Sequence, residues 1–493
     1  MYYTSIYFHP MNHNWKQQTM FWLPGVLLFV YVLIRAIVIP VTHDESNTIL
    51  TYAAYPVADI MLYTDPIPNN HILNTLLIKL LVAVFGLHSL VVRLPNVLGF
   101  LLYYIFLIRI IRKIQLPPLI GFACIILMTC NPYFLDFFSL ARGYALACAF
   151  GMMAVFYAYC FITEKQQSFL IKSVIWSAVA VYTSFTFLNF YVALLFLFIL
   201  VLIVNQKEKA TSKYSDLKKP FIYMGLISLL LGVSIIIPIM RMLETEQFVF
   251  WGSKNFYDDT LLTLAKGSFY GKLFLGINYH VWCNIFIVIF SIVVTLGAYS
   301  LFRRKLKGLN DSFIFFLLLA LGTVCVNICQ FYLADTPYLT SRTALLFIPI
   351  LTLPFIFLAN AVQSKVWFWK LPFLIGASLL LGILFKNMNI EFTYEWWFDR
   401  DTFHVLNLLE QYHTSTGNNV SLNTNWLYYP SFNFHVQERN LEWLDLTQFH
   451  FDTDSLSTTD FYYIIDNEAN KLNSNYRLYS AYGDYSRRLL IHR

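Results

Sequence analysis

Long apolar runs constrain this chain more than any other feature of its sequence. Eleven such runs occupy residues 1–386, and most are near the roughly 20 residues that a helix needs to cross a bilayer. The chain is 58% hydrophobic and 13% charged, whereas soluble domains carry about 25% charged residues. The sequence therefore predicts an all-α polytopic membrane domain. The predicted transmembrane helices cover residues 20–40, 92–110, 117–131, 143–162, 168–186, 188–204, 220–240, 281–301, 311–331, 342–362 and 371–386.

Basic residues in the short loops predict how these helices are oriented. Lysines and arginines gather in alternate loops, which is typical of loops that stay in the cytoplasm. These clusters are Arg109, Arg112 and Lys113; Lys165; Lys207, Lys209, Lys213, Lys218 and Lys219; Arg303, Arg304, Lys305 and Lys307; Lys365 and Lys370. If residues 1–19 are cytoplasmic, all of them fall on that side. We therefore expect the C-terminus to be extracytoplasmic, in a bacterial inner membrane, and the net charge of +6 to reflect topology rather than a nucleic-acid partner.

The segment from 41 to 91 is predicted to be the first outer loop. Within it, residues 46–57 and 71–86 are apolar enough to be helices. Counting 71–86 as a span would invert every later loop and place the basic clusters outside. We therefore expect both segments to lie at the outer membrane interface.

The end of the chain, residues 387–493, has a different pattern. Residues from Asp401 to Tyr412 form an amphipathic helical pattern, and short β-like runs follow at Val420–Leu422, Phe461–Ile465 and Leu489–Ile491. The sequence thus predicts a transmembrane domain over 1–386 and a small extracytoplasmic α/β domain over 387–493.

Two adjacent carboxylates stand just past the first predicted span, in the sequence Thr42, His43, Asp44, Glu45. A carboxylate at this place could act as a general base, and His43 with both acids could hold a divalent ion. The same residues also fit a capping box, in which Glu45 reaches back to the Thr42 amide. The residues alone leave these interpretations equally open.

Five further residues in the predicted outer loops carry candidate chemistry. Asn70 and His71 start an interfacial helix, where backbone amides favour an anion, although a proline-ordered turn also explains them. Asp136 lies among aromatic residues with Arg142 six residues on, which fits either a structural ion pair or a contact to a lipid phosphate or sugar. Arg342 lies at the start of a helix on the predicted outer side, and its guanidinium fork matches a phosphate. An arginine that snorkels to the membrane surface is the ordinary alternative.

Several of these segments, taken in order, resemble the GT-C glycosyltransferases and most of all their protein mannosyltransferase and aminoarabinose transferase group. The matching segments are Asp44 with Glu45, Phe85-Gly86 followed by Arg93-Leu94-Pro95-Asn96, and Asn131-Pro132 followed by Ala141-Arg142-Gly143-Tyr144. The resemblance covers roughly residues 20–150 and returns weakly at 338–349. It implies a GT-C-type fold and a dolichyl- or undecaprenyl-phosphate-linked sugar as the donor.

The resemblance also implies roles for individual residues. Asp44 matches the first-loop aspartate that binds the acceptor or serves as base, and Glu45 matches its partner. Asp136 falls where relatives often carry a second acid, and Arg142 and Arg342 are candidates for phosphate contact. Many relatives have His-Pro-Pro where this chain has Asn-Asn-His-Ile at 69–72, so the donor sugar stays open.

The implied reaction is a single, inverting displacement at the anomeric carbon, with a protein, lipid or glycan as acceptor. A divalent ion is left open, because some relatives need one and others do not. Two other classes remain as alternatives: a transporter or flippase of lipid-linked glycans, and a glycan polymerase or ligase. The nearly uncharged span interiors and the outer carboxylates favour surface chemistry over transport.

Overall fold

The computed structural model describes residues 15–207, 218–247, 252–304, 308–309, 311–361, 367–449, 459–465, 472, 475–483 and 486–493. The predicted cytoplasmic residues 1–14, Lys209, Lys213, Lys305, Lys307 and Lys365 lie outside the described residues. The helices of the membrane region are α1 Trp15–Val38, α2 His43–Asn47, α3 Val57–Leu62, α4 Ile72–Phe85, α5 Ser89–Ile114, α6 Pro118–Thr129, α7 Pro132–Phe138, α8 Gly143–Glu164, α9 Gln167–Thr183, α10 Leu188–Lys207, α11 Lys218–Glu244, α12 Leu262–Ser268, α13 Tyr279–Arg304, α14 Ser312–Ala334, α15 Phe347–Ala361 and α16 Leu371–Asn387.

Nine helices of the described chain are long and apolar enough to cross a membrane, which confirms a multi-pass integral membrane protein. They coincide with nine of the eleven predicted spans. The span expected at 117–131 is instead a pair, α6 and α7, bent by 67°, and it makes a tenth if counted as one. The span expected at 168–186 is α9, whose 17 residues are near the lower limit of about 17 for a crossing helix.

The bend between α6 and α7 has a local cause. Proline at position 132 disfavours the helical conformation of the residue before it. Asn131 accordingly leaves the helix, and its side chain caps α7 by accepting a hydrogen bond from the Phe134 amide at 3.1 Å. The bend turns α7 away from the axis of α6 instead of continuing the span.

Residues 41–91, the predicted first outer loop, contain four short helical pieces: α2, a π-helical turn at Thr48–Tyr52, α3 and α4. The longest, α4, has 14 residues, which at 1.5 Å each gives about 21 Å and falls short of a hydrocarbon core of about 30 Å. This length supports the expectation that 71–86 does not span the membrane.

The C-terminal part folds as a mixed sheet with two helices. These elements are α17 Thr402–Thr416, β1 Val420–Thr424, α18 Tyr429–Arg439, β2 Leu444–Gln448, β3 Phe461–Ile465, β4 Tyr476–Tyr482 and β5 Arg487–His492. The strand order is β2-β1-β3-β5-β4, with β1 parallel to both of its neighbours and β5 antiparallel to both of its own. The predicted helix and the three predicted strands are present, whereas α18, β2 and β4 were not predicted.

Helix α18 joins this C-terminal part to the first outer loop. The Val41 amide donates to Nε2 of His435 at 2.9 Å, and Ser431 donates to the Val41 carbonyl at 2.7 Å. Glu438 accepts hydrogen bonds from the amide and hydroxyl of Ser89 at 2.5 and 2.7 Å, and its other oxygen pairs with His435 at 2.7 Å. The C-terminal part therefore packs directly against the loop that carries the acidic pair.

Candidate active site

The residues His43, Asp44 and Glu45 point in three different directions. They form the first turn of α2, where successive residues are rotated by about 100° around the helix axis. His43 turns to the C-terminal part, with Nδ1 at 2.8 Å from the Leu427 carbonyl and Nε2 at 3.1 Å from the Asn47 amide nitrogen. The sequence alone suggested one shared site, but the helix separates these side chains.

Glu45, predicted from the sequence either to be catalytic or to close a capping box, is fully buried and enclosed by partners within the protein. Its two oxygens lie 2.8 and 2.7 Å from nitrogens of Arg93, and they also accept from the amides of Thr42 at 2.9 Å and Ala141 at 2.5 Å. The Thr42 contact is the reach-back half of a capping box. Burial raises the pKa of Glu45, but Arg93 and these donors hold it below its usual value.

Arg93 extends this structural cluster to the end of the first span. Its remaining donors reach three carbonyls at 2.7 to 3.1 Å, those of Ala36, Ile39 and Pro40. Asn96, three residues later, donates to Asn74 at 2.8 Å, and Asn74 donates to the Ala141 carbonyl at 3.1 Å. The Arg93–Asn96 and Ala141–Tyr144 segments are thus two parts of one scaffold around α2.

Asp44 projects away from that scaffold and meets two arginines. Its Oδ2 lies 3.1 Å from a terminal nitrogen of Arg342 and 3.8 Å from one of Arg142, and its side chain is 14% exposed. Burial raises the pKa of Asp44, yet Arg342 and Arg142 together lower it below the ordinary value. At neutral pH the side chain is therefore an anion that lies between two cations, although its Oδ2 accepts no hydrogen bond from a described residue.

The two arginines differ in their surroundings. Arg142 is buried and also donates to the Thr48 hydroxyl at 2.8 Å and to the backbone carbonyl of Asn69 at 3.2 Å. Arg342 is 36% exposed, and its guanidinium lies over the Trp396 ring at 5.2 Å. Of the two candidates for phosphate contact, only Arg342 has a surface that a ligand can reach.

Arg342 lines a cavity of about 470 Å³. The lining also includes His71, Tyr144 and Glu395, and apolar side chains from the start of α10 and the end of α11, among them Leu188, Ile239 and Met242. Loop residues 336–343 close one side. The volume lies within the range of about 300–1,000 Å³ that is usual for small-molecule sites.

Glu395 was missed by the sequence analysis. It lies in the connection between α16 and the C-terminal part, and Tyr133 of α7 donates a hydrogen bond to its Oε1. Burial raises its pKa above the ordinary value, although Tyr133 and Arg342 act to lower it. The pKa of this carboxyl group on the cavity wall is thus raised, whereas the pKa of Asp44 is lowered.

His71 and Asn189 line this cavity, and each also has a buried polar atom without a partner in the described part of the chain. Nε2 of His71 and Oδ1 of Asn189 are buried without a hydrogen-bond partner among the described residues. Burial, followed by the charges of Arg142 and Arg342, lowers the pKa of His71 well below its ordinary value. Its neighbour Gly143 is needed for this packing, because a Cβ there would meet the Thr183 carbonyl at 2.6 Å and His71 at 2.8 Å.

Two other predicted ligand contacts have structural partners instead. Asp136 pairs with Arg35 at 2.6 Å, and not with Arg142, and it also accepts from the Tyr270 hydroxyl and the Tyr394 amide. Asn70 donates to the Ile60 carbonyl at 2.9 Å and accepts from the Thr75 hydroxyl at 3.0 Å. Both side chains are buried and hydrogen-bonded within the protein, and neither is among the described residues that line the cavity.

The residues suggested for a divalent ion do not form a ligand set. His43 is engaged by a carbonyl and an amide, Glu45 by Arg93, and Asp44 by two arginines. Across the described part of the chain, no group of three or more His, Cys, Asp or Glu side chains is arranged to hold a metal ion. We therefore derive no chemical step through a metal at this site.

Comparisons with known proteins give a likeness of overall structure. No family model matches the sequence, and a comparison with curated proteins finds no match. The chain is similar to ArnT from Cupriavidus metallidurans bound to undecaprenyl phosphate, with a TM-score of 0.48, 9% identity, and coverage of 96% of this chain and 97% of that one. For the same protein in the apo state the TM-score is 0.46 and the identity 10%, with 96% and 98% covered. At this identity the likeness concerns only the course of the chain.

Proposed function

We propose that this protein is a membrane glycosyltransferase. It moves a sugar from a polyprenyl-phosphate-linked donor to an acceptor hydroxyl on the extracytoplasmic side. The observation that carries the proposal is the Asp44–Arg342 ion pair, whose arginine lines a cavity that also has apolar walls. The motif resemblance around Asp44, Arg93 and Arg142 supports the same class.

The cavity suits a donor that has an anionic head and a hydrocarbon tail. Arg342 offers a guanidinium fork, which matches phosphate oxygens in pairs. Its charge is only part-exposed and is already held in place by Asp44 and the Trp396 ring. Leu188, Ile239 and Met242 supply an apolar wall between α10 and α11, where an isoprenoid chain can extend towards the lipid.

The unpaired atoms of His71 and Asn189 provide contacts for the sugar. A neutral imidazole nitrogen and an amide oxygen can pair with sugar hydroxyls, and leaving them buried without partners is costly. Residue 71 was expected to contact the donor phosphate or sugar. Its lowered pKa favours the sugar, because a neutral histidine has no charge to offer a phosphate.

The reaction is a single displacement. The acceptor oxygen attacks the anomeric carbon while the bond from that carbon to the phosphate oxygen breaks, so the configuration inverts. Arg342 stabilises the charge that grows on the departing polyprenyl phosphate. Asp44 was expected to be a base or an acceptor-orienting residue. Because its lowered pKa makes it a weak base, we assign it the second role. It orients Arg342 and the acceptor.

Sugar transfer in reconstituted vesicles tests this function. Purified protein is supplied with a panel of polyprenyl-phosphate sugars and with protein, lipid and glycan acceptors. We expect Asp44→Asn to reduce transfer by about 100-fold or more at unchanged folding. The matched control Asp445→Asn changes an exposed carboxylate on β2 and should transfer like wild type; equal activity of all three proteins would refute the role of Asp44.

A further inference from the structure

We propose that Glu395 accepts the proton of the acceptor hydroxyl during sugar transfer. This inference rests on the proposed function and adds a catalytic residue to it. As the hydroxyl oxygen bonds to the anomeric carbon and the phosphate leaves with its electron pair, the hydroxyl proton passes to the Glu395 carboxylate. The products are then a glycoside, a polyprenyl phosphate and a protonated Glu395, which releases its proton to water.

The position of Glu395 supports this assignment. It lines the same cavity as Arg342, so a base and a phosphate-binding cation share one chamber. Asp44, in contrast, is not among the described residues that line the cavity, and its Oδ2 lies between Arg342 at 3.1 Å and Arg142 at 3.8 Å. A proton acceptor must be within hydrogen-bond reach of the hydroxyl it serves, and Glu395 is the carboxylate that the cavity presents.

The hydrogen bonding of Glu395 leaves one oxygen for a substrate. The Tyr133 hydroxyl donates to Oε1 and fixes the carboxyl plane from α7. None of the hydrogen bonds between described residues uses Oε2. Tyr133 is itself fully buried and packs edge-on against the Tyr394 ring at 5.7 Å, so its hydroxyl is held in a fixed direction.

The charged groups around Glu395 suit a base that must ionise and be protonated in turn. Tyr133 and Asp136 face it from α7, Arg342 faces it from the turn before α15, and Asp44 faces it from α2. Burial raises the pKa of Glu395. Tyr133 and Arg342 lower this pKa, whereas Asp44 and Asp136 raise it, and the result is a pKa above the ordinary carboxyl value. Such a shift brings a carboxylate nearer to the pH at which it works as a base.

The test compares Glu395→Gln with Glu391→Gln in the vesicle assay. Glu391 lies on the same connection but is exposed and pairs with Arg400, so its variant controls for charge loss. We expect Glu395→Gln to lower kcat by about 100-fold or more, to leave the KM for the donor within a few-fold of wild type, and to lose the acidic limb of the pH profile. Glu391→Gln should retain the wild-type values.

Tyr133→Phe keeps the carboxyl group and provides a second measurement. Because the Tyr133 hydroxyl lowers the pKa of Glu395, removing it should move the acidic limb of kcat to higher pH. The inference would be overturned if Glu395→Gln kept the kcat and pH profile of wild type, or if the acidic limb did not move in Tyr133→Phe. Sugar transfer by the wild-type protein would still support the proposed function in that case. A wild-type protein that transfers no sugar from any donor would instead overturn the proposed function, and the base with it.

Discussion

Replacing the carboxylate by an amide should destabilise the protein at Glu45 but mainly reduce activity at the adjacent Asp44. In Glu45→Gln, the fully buried Arg93 loses its counter-ion and faces an amide in place of two carboxylate oxygens that now lie 2.8 and 2.7 Å away. Two backbone amides, those of Thr42 and Ala141, lose a charged acceptor as well. Breaking one side of a buried ion pair typically costs about 3–5 kcal/mol, so we expect a strongly lowered unfolding midpoint.

Asp44→Asn should have a much smaller effect on stability. Arg142 keeps the Thr48 hydroxyl and the Asn69 carbonyl as partners, and Arg342 is part-exposed and stacked on Trp396. The assay is thermal unfolding of both variants in the same detergent, paired with transfer activity measured well below either midpoint. A wild-type midpoint in Glu45→Gln together with a selective loss of activity would refute the structural role of Glu45.

Three further predictions concern Arg342, Glu438 and the membrane topology. Arg342→Ala should lower kcat by about 100-fold or more and raise the KM for the donor, and a variant with unchanged kinetics would remove this residue from the phosphate site. The pKa of Glu438 is lowered from 4.5 to about 2, so its contribution to stability should be present above pH 4.5 and lost as the pH falls towards 2. Limited proteolysis of the C-terminal part across this pH range measures the loss, and equal cleavage at each pH would contradict the prediction. With the exposed native cysteines replaced by serine, Trp426→Cys should react with an impermeant maleimide on intact cells and Gln166→Cys only after permeabilisation; the opposite pattern would invert the topology.

The membrane helices could be predicted from the sequence because each is a local property. A run of about 20 apolar residues is sufficient for a span, and the basic loops then suggest an orientation. The break at Asn131 was less visible, since α6 and α7 are both apolar and only the proline marks the bend. In the C-terminal part, β1, β3 and β5 were identified, whereas β2 and β4, whose side chains are mostly exposed or half-buried at the two edges of the sheet, were not.

The candidate site shows where sequence reasoning stops. Asp44 and Arg342 were identified because each is a charged residue at the outer end of a span. Glu395 was missed because its surroundings come from α7, α2 and the turn before α15, none of which is near it in sequence. Asp136 was given Arg142 as its partner by proximity, but its partner Arg35 is 101 residues earlier. An arginine near the end of an apolar run needs a counter-ion, and this signal could have suggested Arg35.

Release of polyprenyl phosphate is the measurement that tests the central claim most directly. Wild type and Asp44→Asn are reconstituted with a polyprenyl-phosphate sugar and an acceptor, and the free lipid phosphate and the glycosylated product are both quantified by mass spectrometry. We expect one polyprenyl phosphate released for each sugar transferred by wild type, with both products falling together in the variant. Movement of the intact lipid-linked sugar across the bilayer without release of polyprenyl phosphate would contradict a transferase and would identify a transporter.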